Sequence, residues 1–257
     1  MYRHIRSEFS GRVATVTLDR PERRNAFSAE LMREMIACAQ ELGARGELDA
    51  VIVAGAGGTF CAGADLKDPS RWAGGAPLLE QREIAGLGFR MARAWEELPQ
   101  MTIAAIEGYA VGGGLAFAVA LDWRVIARDA FVSLPEISLG IPLTWGTLPR
   151  LVNLVGPAKA KRLAILCERA GAEAALAMGL VDELCEPSKA METATRLAAA
   201  VTDKPKHSVL MTKEAVNAYA ALGAHAVSYM AHDQLELAAG SPESRAARDA
   251  ALTRPKP

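Results

Sequence analysis

The sequence has few of the features that mark secreted, membrane-bound or metal-binding proteins. Four cysteines are scattered over 257 residues and none forms a CxxC pair, so neither a disulfide framework nor a zinc site is indicated. The formal net charge of −1 argues against sequence-independent binding of nucleic acid. No apolar run reaches membrane-spanning length uninterrupted, and the N-terminus lacks the apolar core of a signal peptide. We therefore expect a cytoplasmic protein without a metal site that binds neither membranes nor nucleic acid.

The order of the predicted elements gives the fold class. Hydrophobic residues make up 51% of the chain, which suits one compact core. Strand-like and helix-like segments alternate up to about residue 141, and helical patterns follow from residue 147 onward. We predict an α/β protein with a core over residues 1–190 and a helical C-terminal region over residues 191–257.

Individual elements follow from periodicity and from end signals. Ser28 is the predicted N-cap of a helix that ends near Leu42. The segment 68–77, which contains prolines and glycines, is predicted to be a flexible loop that could cover a site. Strands are predicted at 12–18, 50–54, 101–106, 122–127 and 130–134, and a further helix at 82–98.

Three successive glycines at 112–114 lie between a predicted buried strand and an apolar, alanine-rich helix. The first N–H groups of a helix have no partner within the helix, and the helix dipole places partial positive charge beside them. Such a turn can bind an anion or a developing oxyanion. From this stretch alone, a tight turn that packs the strand on the helix is the favoured alternative.

A second glycine-rich loop, at 55–67, follows the strand at 50–54. Phe60 stands where the dinucleotide-binding pattern G-x-G-x-x-G needs its third glycine. No Gly-Lys-Ser/Thr sequence follows, so the loop does not match a phosphate-binding loop of nucleotide hydrolases either.

Several motifs occur in order along the chain. They are L-D-R-P-E-R-R-N-A at 18–26, F-C-A-G-A-D-L-K at 60–67, G-Y-A-V-G-G-G at 108–114, P-E with L-G at 135–140, and A-L-A-M-G-L-V-D at 175–182. Together they resemble the crotonase, or enoyl-CoA hydratase/isomerase, superfamily over nearly the whole chain.

That resemblance implies a crotonase-like spiral of ββα turns that assembles as a homotrimer, or as a hexamer of paired trimers, through the helical C-terminal region. It also implies an acyl-CoA thioester substrate and no cofactor beyond the CoA moiety of that substrate. By matching positions, the backbone N–H groups of Ala64 and Gly113 would form an oxyanion hole around the thioester carbonyl. The residues that the resemblance places against the substrate are Arg24, Ala26, Ala62, Ala64, Asp65, Leu66, Lys67, Tyr109, Gly112, Gly113, Pro135, Leu139, Gly140 and Trp145.

The resemblance to hydratases implies two acid–base glutamates. This sequence departs from that pattern at one of the two positions. Glu136 matches one of them, and Ala116 stands at the position of the other. Hydration needs one group to deprotonate water and another to protonate the α-carbon, whereas one carboxylate suits a proton shuttle between two carbons. Isomerase members of the family are similar in keeping this glutamate alone, although some single-glutamate members are hydratase-lyases. We expect Glu136 to be the acid–base residue of an enoyl-CoA isomerase.

Alternatives stay open at this stage. An enoyl-CoA hydratase or hydratase-lyase that uses Glu136 alone is the first, and a non-catalytic CoA-thioester-binding protein is the second. Leu143, Thr144 and Trp145 are bulkier than the glycine-rich run of hydratases, which indicates either a different reaction or a reshaped acyl pocket. Cys61 as a nucleophile is disfavoured because no histidine lies close in sequence.

Overall fold

Strands and helices alternate through the first half of the chain, and helices dominate the second. The computed structural model describes residues 2–72, 77–228 and 230–253. The strands in these ranges are β1 (Ile5–Ser10), β2 (Val13–Leu18), β3 (Ala50–Gly55), β4 (Met101–Ile106), β5 (Tyr109–Val111), β6 (Trp123–Ala127), β7 (Phe131–Ser133), β8 (Ala170–Gly171) and β9 (Glu183–Cys185). The helices are α1 (Ala29–Gly43), α2 (Pro69–Trp72), α3 (Leu78–Ala85), α4 (Leu87–Glu96), α5 (Gly113–Ala118), α6 (Thr147–Ile165), α7 (Ala172–Ala177), α8 (Ala190–Thr202), α9 (Lys206–Ala220), α10 (Ala224–Ser228), α11 (Ala231–Ala239) and α12 (Pro242–Thr253).

The main sheet, over the described residues, has six strands in the order β1-β2-β3-β4-β6-β9. β1 pairs antiparallel with β2, and the later neighbours in this sheet are parallel. A smaller sheet joins β5, β7 and β8. Because parallel strands end at the same edge of a sheet, the loops that follow β2, β3 and β4 meet there. These loops carry the motifs at 18–26, 60–67 and 108–114.

The core lies between the main sheet and the helices packed on it. β3 is an apolar run without alternation, as expected for a strand buried on both faces, and Val51 and Ile52 are fully buried. The predicted N-cap of α1 is confirmed, because the Ser28 hydroxyl accepts a hydrogen bond from the Leu31 N–H. α1 packs against α4, and α8 packs against β3 and β4. The α/β fold class predicted from the sequence is confirmed.

Some boundaries differ from those predicted. Helices alone are predicted after residue 147, but β8 and β9 lie in that region and add to the two sheets. These strands have two and three residues, which is too few to show an alternating pattern. The predicted helix at 82–98 is two helices that meet at Gly86, a residue with low helix propensity. The segment 68–77 is predicted to be a loop, but Pro69–Trp72 form α2, and residues 73–76 lie outside the described residues.

The C-terminal helices leave an apolar surface on the chain. Met211, Val216 and Tyr219 of α9 are 67%, 60% and 80% exposed. Such a surface suits association between copies of the chain, so assembly through the C-terminal region stays a prediction. The domain division at residue 190 also stays a prediction, and residues 254–257 lie outside the described residues. None of the helices described is both long enough and apolar enough to cross a membrane.

Candidate active site

One buried asparagine fixes the loop after β2. Asn25 has a φ of +56°, in the left-handed region that asparagine adopts more readily than most residues. Its amide nitrogen donates to the carbonyls of Ala56 (2.9 Å) and Thr59 (2.8 Å). Its Oδ1 accepts a hydrogen bond from the Arg20 N–H at 3.0 Å. The first two bonds tie the loop after β2 to the glycine-rich loop after β3, and the third fixes the side chain within its own loop.

An isolated parallel bridge between Phe27 and Ala64 orients the backbone of the second loop. The Phe27 N–H donates to the Gly63 carbonyl at 2.7 Å, and the Asp65 N–H donates to the Phe27 carbonyl at 2.9 Å. Successive N–H groups of an extended chain point to opposite sides, so the N–H of Ala64 points away from this bridge. It has no acceptor among the described residues.

The glycine turn before α5 places a second N–H group beside the first. Gly112 has a φ of +54° and a ψ of −122°, a conformation open to glycine. A Cβ atom on Gly113 would lie 3.2 Å from the Ala64 nitrogen, so the two backbones are in close contact. The Gly113 N–H lies in the first turn of α5 and also lacks an acceptor among the described residues. Two adjacent backbone donors of this kind can stabilise an oxyanion.

The carboxylate of Glu136 lies against the same turn. Its Oε1 is 2.8 Å from the position that a Cβ on Gly112 would take. Its Oε2 is shielded from solvent and has no hydrogen-bond partner among the described residues. Burial raises the pKa of Glu136 to about 7, and the hydrogen bond from its own backbone N–H opposes that rise. A carboxyl group that titrates near neutral pH can both accept and return a proton.

These groups surround a cavity of about 170 Å³. Among the described residues that line it, Glu136 is the sole ionisable side chain. The lining residues are Ala62, Gly63, Ala64, Leu66, Val111, Gly112, Gly113, Ala116, Pro135, Glu136, Leu139, Ile141, Pro142, Leu143, Thr144, Trp145, Thr147 and Leu235. The cavity therefore combines two backbone donors and one carboxylate with apolar walls.

Six residues that were predicted to contact the substrate lie outside this cavity. They are Arg24, Ala26, Asp65, Lys67, Tyr109 and Gly140. Asp65 is buried, forms an ion pair with Arg20 at 3.2 Å and accepts the Lys67 N–H at 3.0 Å. This carboxylate therefore stabilises its own loop. The side chains of Arg24 and Lys67 are exposed beside the loops that form the cavity wall.

The C-terminal part of the chain supplies a wall residue that the sequence analysis missed. Leu235 of α11 lines the cavity and packs with Ala85 of α3 and with Ile141. An ion pair between Arg82 and Asp233, at 2.8 Å, holds α3 against α11. Because this contact depends on how distant helices pack, no local pattern around Leu235 signals it.

Cys61 lies between the two loops but cannot act readily as a nucleophile. Its thiol is fully buried, and burial raises the pKa of this thiol to about 12. A thiol with such a pKa is protonated at neutral pH. It donates to the Asn25 carbonyl at 3.0 Å and accepts the Gly63 N–H at 3.3 Å, so its contacts are structural.

A larger cavity of about 1130 Å³ lies between α4, α6 and α9. Its buried cations are paired, Lys213 with Asp122 at 2.6 Å and Arg124 with Asp182 at 2.7 Å. No group of histidine, cysteine, aspartate or glutamate residues in the described ranges is arranged to hold a metal ion. The smaller cavity, with its unpaired carboxylate, is therefore the candidate active site.

Known proteins resemble this chain in sequence and in overall fold. Residues 8–247 match the family model described as enoyl-CoA hydratase/isomerase. The chain is 36% identical over 211 residues to the short-chain-enoyl-CoA hydratase of Clostridium acetobutylicum, covering 82% of this chain and 79% of that protein. It is 30% identical over 217 residues to the crotonyl-CoA hydratase of Syntrophomonas wolfei, with 84% and 82% covered. The crystal structure of an enoyl-CoA hydratase/isomerase from Xanthobacter autotrophicus matches with a TM-score of 0.88 at 30% identity, covering 98% of this chain and 97% of that one.

Proposed function

The chain belongs to the enoyl-CoA hydratase/isomerase family, and we propose that it moves the double bond of an enoyl-CoA thioester from the β,γ to the α,β position. The observation that carries this proposal is the lone Glu136 in the cavity. The reaction removes a proton from the α-carbon and returns one to the γ-carbon, so it needs one group that both accepts and donates a proton.

The first step of the proposed reaction places negative charge on the thioester oxygen. Glu136 takes the α-proton, and the electron pair that it leaves forms a dienolate over the carbonyl and the former double bond. The N–H groups of Ala64 and Gly113 would donate to the enolate oxygen. Losing one donor of this kind typically costs roughly 3 to 4 kcal/mol of barrier.

The second step returns the same proton. The protonated Glu136 donates it to the γ-carbon, and the electron pair shifts to form the α,β double bond and restore the carbonyl. No atom is gained or lost and nothing is oxidised, so the proposed reaction requires no cofactor beyond the CoA moiety. A pKa of about 7 suits this role, because neither form of the carboxyl group is strongly favoured at neutral pH.

Hydration of an α,β-enoyl-CoA is the second candidate, because relatives carry the names short-chain-enoyl-CoA hydratase and crotonyl-CoA hydratase. It would require Glu136 to serve both as base for water and as acid for the α-carbon, since Ala116 offers no carboxylate. A non-catalytic thioester binder is less well supported. Burial raises the pKa of the Glu136 carboxyl group and leaves its Oε2 without a hydrogen-bond partner among the described residues, which destabilises the fold, and binding alone gives no reason to keep it.

The experiment supplies the purified protein with a β,γ- and an α,β-enoyl-CoA of the same length and follows the products by chromatography. We expect isomerisation of the first substrate. Rapid hydration of the second without isomerisation of the first would assign the protein as a hydratase.

The variant Glu136→Gln tests the shuttle. We expect it to bind CoA ligands but to lose turnover by roughly 10²- to 10⁴-fold, because an amide of the same shape cannot carry the proton. The control is Glu22→Gln, at an exposed glutamate in the loop after β2, which should keep full activity. Unchanged turnover in Glu136→Gln would rule out the assigned role.

The assembly proposed with this function is a homotrimer or hexamer in the cytoplasm. It is supported by the exposed apolar side chains of α9. Light scattering at micromolar concentration tests it, and a monomeric mass would contradict it.

A further inference from the structure

The indole ring of Trp145 forms the inner wall of the cavity. A Cβ atom on Gly113 would lie 2.6 Å from Cη2 and 2.7 Å from Cζ3 of this ring. The ring therefore lies against the turn that carries one of the two backbone donors. A ligand whose carbonyl oxygen reached the Gly113 N–H would have the indole directly beside it.

Neighbouring residues hold the ring in place from behind. A Cβ atom on Gly88 of α4 would lie 1.9 Å from Cε2 and 2.0 Å from Nε1 of the indole. The ring therefore occupies the space that a side chain at position 88 would need. Phe27 packs edge-on against the same ring, with a centroid distance of 5.8 Å. Trp145 is 4% exposed, so the ring is buried between Gly88, Phe27 and the turn at Gly113.

The backbone of Trp145 is fixed as well. Its φ of +61° is in the left-handed region, which glycine adopts far more readily than tryptophan. The Trp145 carbonyl accepts a hydrogen bond from Arg150 Nη1 at 2.7 Å. Arg150 is held in turn by two bonds of 2.7 Å to the carboxylate of Glu96. A large side chain in such a conformation indicates a functional constraint on this position.

The cavity that Trp145 lines is small. At about 170 Å³ the cavity is well below the roughly 300–1,000 Å³ of pockets that enclose drug-sized ligands. Leu143 and Leu235 line the same cavity with apolar groups, so the space beyond the carbonyl suits a small hydrocarbon group. The indole is the largest side chain in this lining and lies against the turn that carries the Gly113 N–H, so removing it would enlarge the space beside the carbonyl.

We propose that Trp145 is a specificity-determining residue that restricts the enzyme to short acyl chains, with Gly88 as the position that makes room for its ring. This inference rests on the proposed function, since it concerns the acyl group of the same thioester. It assigns the substrate class as short-chain enoyl-CoA thioesters.

The main experiment compares wild type with Trp145→Gly, a substitution that removes the ring and suits the left-handed backbone. Activity is measured on four-carbon and ten-carbon enoyl-CoA substrates with the double bond in the same position. We expect the wild type to prefer the short substrate, and the variant to raise the long-to-short ratio of kcat/KM by about tenfold or more. The control is Trp95→Phe, at a fully buried tryptophan outside the cavity, which should leave the ratio unchanged.

A rescue experiment separates the role of the ring from general destabilisation. Gly88→Ala should push the indole toward Gly113 and lower kcat/KM on the short substrate. The double variant Gly88→Ala with Trp145→Gly should recover activity, on the long substrate above all.

The outcomes distinguish the two proposals. If the wild type acts on enoyl-CoA substrates but Trp145→Gly leaves the chain-length ratio unchanged, the inference about Trp145 is wrong and the proposed function stands. If the wild type acts on neither chain length, the proposed function itself is wrong.

Discussion

Replacing Glu136 by glutamine should make the protein more stable at alkaline pH while it removes activity. The carboxyl group has a pKa near 7 in the folded protein and 4.5 as its ordinary value. The fold therefore binds the proton of this group more tightly than the unfolded chain does. Glutamine carries no titrating proton, so the variant should lack the pH dependence that this group gives to the free energy of unfolding.

The magnitude follows from the difference between those two pKa values. A shift from 4.5 to about 7 corresponds to about 3 kcal/mol. Because the folded-state pKa is the higher one, the group costs nothing below pH 4.5, where it is protonated in both states. Stability falls as the pH rises from 4.5 to 7 and then stays level. At pH 8 the wild type should therefore carry the whole cost, which Glu136→Gln avoids.

The measurement is urea unfolding of both proteins at pH 5.5 and pH 8, at one protein concentration because the chain is expected to self-associate. Other titrating groups are common to both proteins, so the difference between them isolates Glu136. We expect the variant to gain about 2 kcal/mol relative to wild type between these two conditions. The control Glu22→Gln should change stability by the same small amount at both. A difference between Glu136→Gln and wild type that does not depend on pH would refute the assignment of a buried, high-pKa carboxyl group.

Two further substitutions test the geometry of the cavity. Gly113→Val should leave the fold intact by circular dichroism but lower turnover by roughly 10²-fold or more, because the side chain would contact the Trp145 ring and the Ala64 N–H; wild-type activity would show that Gly113 does not serve as a donor. Ala116→Glu should raise the ratio of hydration to isomerisation, because it adds a second carboxylate to the cavity wall. Product analysis by chromatography measures that ratio, and an unchanged ratio in a variant that binds CoA ligands would contradict the reasoning.

The parts of the fold that the sequence predicts well are those with strong local signals. β2, β3 and β4 fall within a residue of their predicted ranges, because each is an alternating or continuous apolar run between turns. The N-cap at Ser28 rests on chemistry within one turn of the helix. β5, β8 and β9 have two or three residues each, and their positions depend on neighbours that are distant in sequence.

The same distinction applies to the candidate site. The motifs locate Glu136 and the two glycine-rich loops. Glycine stands at the turns that leave no room for a Cβ atom, so these turns can be recognised from the sequence. The sequence favours Asp65 as a carboxylate that stabilises its own loop, but the order of motifs shows neither its ion pair with Arg20 nor that Leu235 completes the wall. Both facts come from contacts between elements that are far apart along the chain.

Charged side chains near the cavity form ion pairs that do not include Glu136. Two half-buried cations beside the cavity wall have other partners, since Arg20 pairs with Asp65 and Arg150 of α6 pairs with Glu96. No charged group contributes to the raised pKa of Glu136, which follows from burial. A guanidinium beside this carboxylate would stabilise the fold but lower its pKa, and the carboxylate would then be a weaker base for removing the α-proton. The absence of a charged partner for Glu136 among the described residues therefore lowers the stability of the fold and, by the same cause, gives the pKa that a proton shuttle at neutral pH requires.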